Sequence, residues 1–231
     1  MKNHVDNAIL QRDGRTYALS TRTSSGIVTP EYLERIAAVA RKYKVPLIKL
    51  TSGQRFTLVG LTEGDIPAIW DDLGNDMRAP HGPCIRYVQA CIGSDFCRFG
   101  TQDSLRLAKE IEQLYREKEF PAKLKIGVSG CPRNCGEGHI RDVGVIGSTV
   151  GWTIFFGGNS GTRPRIGDMV AKNLSKEAAF DLVQRLLEYY NQHAKPRERT
   201  ARFMERIGME ILKSELLVLL PYIALYDVTP R

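Results

Sequence analysis

Cys91-Ile92-Gly93-Ser94-Asp95-Phe96-Cys97 and Cys131-Pro132-Arg133-Asn134-Cys135 hold four of the chain's five cysteines, and everything around them is read from their spacing. Five residues separate the first pair and three the second. Thiolates are soft donors that suit zinc, copper(I) or iron–sulfur clusters. Structural zinc with four cysteines prefers two-residue knuckles, which neither pair has. A four-iron core takes ligands from several directions, so wide and unequal spacings are natural there. Small residues flank the sulfurs, in Ser129-Gly130-Cys131-Pro132 and Asn134-Cys135-Gly136, where backbone amides can approach. Ordinary buried cysteines and zinc stay open as the blander readings. Cys84 has no close partner in sequence and reads as a packing residue.

The segment before these pairs reads as a compact α/β unit. Thr16 to Thr23 alternates like a strand, with Tyr17 and Leu19 on one face. Thr29-Pro30 is an N-cap followed by proline at the first helical position, and Leu33, Ile36, Ala37, Val39 and Ala40 have helical spacing. Strands are expected at Pro46 to Leu50 and Arg55 to Leu61, joined by the turn Ser52-Gly53, with a short helix from Asp65 to Leu73. The order β-α-β-β-α is close to a ferredoxin-like half. A proline and glycine loop, Ala79 to Pro83, marks a boundary. The expected domains are residues 1–76 and 77–231, and the fold class is α/β (α+β). In the second domain a helix is predicted from about Asp103 to Lys118. Strands are predicted at Lys123 to Val128, Val143 to Gly147 and Trp152 to Phe156. Helices follow from Ser175 to His193 and from about Glu198 onward.

The chain has 231 residues, 42% hydrophobic and 26% charged, which describes an ordinary globular protein. The most apolar stretch, Leu216 to Leu225, is interrupted by Pro221 and too short for a bilayer. The first residues lack the apolar core of a secretory signal, so a cytoplasmic protein with reduced thiols is expected. The net charge of +7 asks for an acidic partner. Nucleic acid is disfavoured, because the basic residues are scattered and not interleaved with aromatics. Lys123 and Lys125 lie two apart on a predicted strand and share a face. With Arg86 and Arg55, they could hold a cofactor with many carboxylates or a small oxyanion.

Cys91 to Ser104 resembles the first cluster motif of the siroheme nitrite and sulfite reductases, and Gly127 to Cys135 resembles the second. Gly157-Gly158-Asn159-Ser160-Gly161-Thr162-Arg163 is similar to the family's later glycine-asparagine segment, and Arg199 to Gly208 to its C-terminal helix. The resemblance implies a 4Fe-4S cluster on Cys91, Cys97, Cys131 and Cys135, with Cys135 bridging to siroheme. It implies that Arg55, Arg86, Lys123 and Lys125 line the face where nitrite or sulfite binds. It also sets Arg98, Asn134, Asn159 and Arg163 against the cofactors. Single-chain members look like a duplicated unit, whereas this chain carries one unit, so a homodimer is expected. No glycine fingerprint for a nucleotide follows a predicted strand, so electrons are expected from a ferredoxin or a separate flavoprotein. The expected activity is six-electron reduction of sulfite to sulfide or nitrite to ammonia; the alternative is a non-catalytic iron–sulfur electron-transfer protein.

Overall fold

The computed structural model describes residues 4–116 and 118–217. The chain divides into two compact units between His81 and Gly82.

The first unit is one antiparallel sheet with two helices. Its strands are β1 (His4–Val5), β2 (Ala8–Leu10), β3 (Tyr17–Ser20), β4 (Leu47–Leu50) and β5 (Phe56–Leu61), in the order β1-β2-β3-β5-β4. The strand–helix–hairpin–helix order predicted from the sequence is present. β1 and β2 precede it and were not predicted. They are short, and the turn joining them, Asp6-Asn7, takes positive φ at both positions, as a two-residue hairpin turn requires.

Helix α1 (Pro30–Lys42) starts where expected: the Thr29 hydroxyl accepts the Tyr32 N–H at 3.2 Å. Its buried stripe is Ile36 and Val39, while Leu33 is exposed, contrary to the predicted face. The stripe is set by what the helix packs on, and Tyr32 and Tyr43 complete it instead. Helix α2 (Ile66–Leu73) closes the core with Ile66, Ile69, Trp70 and Leu73 against Leu19 and Leu58. The Trp70 indole donates to the Asp6 carbonyl at 2.7 Å, tying the helix to the first turn.

The second unit is a mixed five-stranded sheet, ordered β10-β9-β8-β7-β6. β6 (Ile85–Ala90), β7 (Leu124–Ser129) and β8 (Val143–Ser148) run parallel; β9 (Gly151–Phe156) and β10 (Asp168–Leu174) continue antiparallel. β6 and β10 were not predicted, since Ile-Arg-Tyr-Val-Gln-Ala and Asp-Met-Val-Ala-Lys-Asn-Leu have weak alternation and owe their state to long-range pairing. A one-turn helix, α3 (Gly93–Phe96), and α4 (Ser104–Leu114) connect β6 to β7. α4 ends four residues before the predicted Lys118. Helices α5 (Lys176–His193) and α6 (Thr200–Leu217) follow, the latter broken at Gly208, where φ is 78°. Only Leu216 and Leu217 of the apolar stretch ending at Leu225 fall among the described residues. No helix among the described residues is long and apolar enough to cross a membrane.

One face of this sheet carries the core: Val88, Ile126, Val128, Val145, Trp152 and Ile154 pack with Leu107, Ile111, Val183, Leu186 and Phe203 of the helices. Burying these side chains is the main stabilising term, about 2 kcal/mol each. The opposite face is left for polar groups and loops.

Candidate functional site

Both cysteine loops leave the sheet at the same edge. β6 ends at Ala90, directly before Cys91, and its parallel neighbour β7 ends at Ser129, two residues before Cys131. Crevices at the carboxyl ends of parallel strands are where such sheets bind ligands, since successive loops open there together. The two loops are stitched by backbone. The Cys91 N–H donates to the Val128 carbonyl at 3.2 Å, and the N–H groups of Thr101 and Gln102 donate to the Gly130 carbonyl at 2.9 and 3.0 Å. The Gly130 N–H donates to the Cys91 sulfur at 3.1 Å, and the buried Ser104 hydroxyl lies 3.2 Å from it. The Ser104 hydroxyl also donates to the Cys91 carbonyl at 2.9 Å, so the first loop is tied to both the second loop and the start of α4.

Close backbone approach explains the glycines. A Cβ at Gly127 would stand 2.2 Å from the Gly136 carbonyl oxygen, and one at Gly130 would stand 2.5 Å from that of Gln102. The second loop lies flat on the sheet because both partners are bare there. Asn134 and Glu137, either side of Cys135, adopt positive φ of 56° and 55°. The Asn134 side chain holds this turn, its oxygen accepting the Gly138 N–H at 2.7 Å and its amide nitrogen 2.9 Å from the His139 ring. Cys131 is buried and Cys135 exposed. Among the described residues no three His, Cys, Asp or Glu side chains gather closely enough for a single ion. A four-iron core takes one thiolate per iron and does not ask for that arrangement.

The polar face of the sheet continues from these loops. Tyr87 pairs in register with Lys125, and Gln89 with Gly127. The Lys125 ammonium lies 5.7 Å from the centre of the Tyr87 ring, and the Arg141 guanidinium 5.6 Å from the same centre. Burial, followed by the charges of Arg141, Arg199 and Lys123, pushes the Lys125 pKa down, with Asp142 opposing. Burial likewise lowers the pKa of Arg86 on β6, and its Nε has no hydrogen-bond partner among the described residues. Asp142 ties the face together: its buried carboxylate accepts the Lys125 backbone N–H at 2.8 Å, the Arg199 guanidinium at 2.7 Å and the Thr200 hydroxyl at 2.6 Å.

Profiles of known families match almost the whole chain. The nitrite and sulphite reductase 4Fe-4S domain covers residues 81–221, and the nitrite/sulfite reductase ferredoxin-like half domain covers residues 9–75. The chain belongs to the nitrite and sulphite reductase family. An assimilatory-type sulfite reductase of Nitratidesulfovibrio vulgaris is 45% identical over 94% of this chain and 100% of its own length. A Bacillus subtilis nitrite reductase is 40% identical over 93% of the chain, which spans only 26% of that longer protein. Among solved structures, dissimilatory sulfite reductase I superposes with a TM-score of 0.78 at 15% identity, covering 94% of this chain and 72% of that one. The Mycobacterium tuberculosis NirA protein superposes with a TM-score of 0.75 at 17% identity, covering 93% and 42%. These two show the shared fold.

As a family member the chain is an oxidoreductase, and its cofactors are a 4Fe-4S cluster and siroheme. The residues present fit these groups. Four thiol side chains lie in backbone-lined loops at one sheet edge, the adjoining face is cationic with Lys125 and Arg141, and the buried Arg86 Nε has no hydrogen-bond partner among the described residues. Siroheme is rich in carboxylates, so a face carrying Lys125 and Arg141 offsets its charge.

Other predicted contacts fall in different settings. Lys123 is exposed and precedes β7, so the predicted strand starts one residue early. Arg55 closes the Thr51–Arg55 turn directly before β5 in the first unit, so this predicted strand also starts one residue early. Arg98 and Arg133 both stack on Phe99, at 4.5 and 3.9 Å. The Asn159 side chain shapes its own loop, donating to the Arg163 carbonyl at 2.8 Å, and the exposed Arg163 side chain lies 3.7 Å from Glu205. Sequence reasoning passed over Tyr87, Gln89, Arg141 and Asp142. One signal for them was legible: an Arg-Asp pair sits between a cysteine loop and the apolar strand beginning at Val143.

Proposed function

We propose that this chain reduces sulfite to sulfide with six electrons from a separate donor protein. What carries the reading is the cationic sheet face of Lys125 and Arg141 running into the cysteine loops. End-to-end similarity to a one-unit sulfite reductase supports sulfite over nitrite. Nitrite is the second reading, supported by the 40% identity to a nitrite reductase.

When bound, siroheme coupled to the cluster supplies a binding position for the anion and the route for its electrons. Cys91, Cys97, Cys131 and Cys135 would hold the cluster, and the exposed Cys135 would also serve siroheme. Arg86, Lys125 and Lys123 attract the dianion and orient its oxygens, and Arg55 is a further cation for the anion. Lys125 Nζ, its pKa lowered by burial and neighbouring cations, gives a proton to an oxygen leaving as water. Arg98, Asn134, Asn159 and Arg163 support the cofactor-binding loops.

A homodimer is part of the proposal. The 9–75 match is to a half domain, and edge strand β4 leaves Leu47 and Leu50 exposed at 52% and 60%. An open apolar edge is what a second copy would cover. The donor is an acidic ferredoxin or flavoprotein in the cytoplasm, to which a net charge of +7 is complementary.

The test is anaerobic purification with adequate iron and tetrapyrrole supply, then turnover with reduced methyl viologen. A Soret band with a red band, and a higher kcat/KM for sulfite than for nitrite, are expected. A colourless protein, or one that yields no sulfide, removes the reading. Light scattering that gives a monomer mass for the active species removes the dimer.

A further inference from the structure

Arg141 is charged and only 2% exposed, and beyond adding positive charge to this face it has no part in the proton transfer above. A buried guanidinium of this kind needs partners. It has them on one side only: Nη2 donates to the Gln89 Oε1 at 2.9 Å and to the Glu137 carboxylate, while Nε has no hydrogen-bond partner among the described residues. Gln89 is itself buried, on β6, and Glu137 sits in the second cysteine loop. These anchors come from two elements and fix the guanidinium against the Tyr87 ring. That ring is shared with the Lys125 ammonium, so the two charges lie within about 11 Å of each other. Lys125 has no carboxylate at ion-pair distance among the described residues; Asp142, whose charge acts on it, is occupied by Arg199, Thr200 and the Lys125 backbone.

We propose that Arg141 is a positioning residue for Lys125: clamped by Gln89 and Glu137, it keeps a fixed positive charge beside the ammonium and so readies that group to release its proton to the substrate. The proposal deepens the reading of this face as the sulfite site and rests on it. A lone partly buried lysine would be held charged by any incoming anion. A second cation that cannot move or deprotonate offsets that pull, so Lys125 remains an effective acid once the oxyanion is bound. Arginine suits the role because it stays protonated at all working pH values. The other charged groups acting on Lys125 are Arg199 and Lys123, which work in the same direction, and Asp142, which opposes them.

The experiment is trace acetylation of the full-length protein, purified with its cofactors, across a pH series, with the rate at Lys125 read by peptide mass spectrometry. In the unaltered protein the Lys125 labelling midpoint should lie below that of surface lysines in the same digest. Arg141→Met should raise the midpoint and slow labelling at pH 8 by roughly fivefold, as removal of one unit charge through a medium of effective dielectric near 20 would do. Arg141→Lys should restore most of the unaltered rate. The alkaline limb of the kcat profile with reduced viologen should move up in Arg141→Met and stay in Arg141→Lys. An unaltered-protein midpoint equal to that of surface lysines overturns the proposal without any variant. So does an unchanged midpoint in an Arg141→Met protein that keeps its visible spectrum. If Arg141→Met does not fold, Gln89→Leu, which releases one anchor, should raise the midpoint less, and no rise there also overturns it. Labelling is independent of turnover, so failure of the sulfite reading appears as absent sulfide with the labelling shift intact.

Discussion

Lys125 shows how one residue's chemistry depends on its neighbours. Lys123, two residues earlier, lies just outside β7 and is exposed, whereas Lys125 is held half-buried within the strand. Lys125→Ala should lower kcat about 100-fold, the lower end of what general acid catalysis contributes, while leaving the visible spectrum unchanged. Stopped-flow spectra with steady-state rates check both. Glu198 supplies the pH test of stability. The Arg206 guanidinium holds its carboxyl below the ordinary carboxylate value, through two contacts of 2.8 Å, and Arg206 is raised in turn. A carboxylate depressed on folding stabilises the protein above its unfolded pKa, and that contribution is lost as pH falls through the folded value. Glu198→Gln should therefore lower Tm by about 2–4 °C at pH 7. The deficit should close below about pH 4, as calorimetry across pH would show.

Between elements, the polar joints matter as much as the apolar core. Asp142 connects β7, β8 and the start of α6 through one carboxylate. Asp142→Ala leaves the Arg199 guanidinium and a backbone N–H without their partner, and should cost about 3 kcal/mol in urea unfolding. Because Lys125 hangs from the same joint, the variant should also lose more activity than its stability alone explains. The cysteine loops are positioned by backbone stitching, with Gly127 and Gly130 serving as places where one chain lies directly on another. The cap at Thr29 and the hairpin turn before Arg55 were readable from local residue types, because a hydroxyl N-cap or a glycine turn acts within a few positions. Strands β6 and β10 were not, since their state depends on partners far along the chain.

Across the whole molecule, charge and repetition set the expectations. A net charge of +7 steers an acidic protein donor, and such steering weakens with salt. Turnover with an acidic ferredoxin should fall several-fold between 50 and 300 mM salt. Turnover with a small cationic viologen should not fall in parallel, and steady-state assays with both donors separate the cases. Equal salt dependence would remove the electrostatic docking idea.

The sequence alone determined the chemistry that can be written in spacing: four soft donors in two loops, a capped helix before a hairpin, and the motifs that carry the family. These are local features, whose physics acts over a few bonds. The tertiary structure alone decided which charges are buried and which sheet face stays polar. Arg141, Gln89, Tyr87 and Asp142 meet there because parallel pairing of β6, β7 and β8 superposes residues remote in the chain. Burial and long-range register are properties of the packed whole, and no window of sequence contains them.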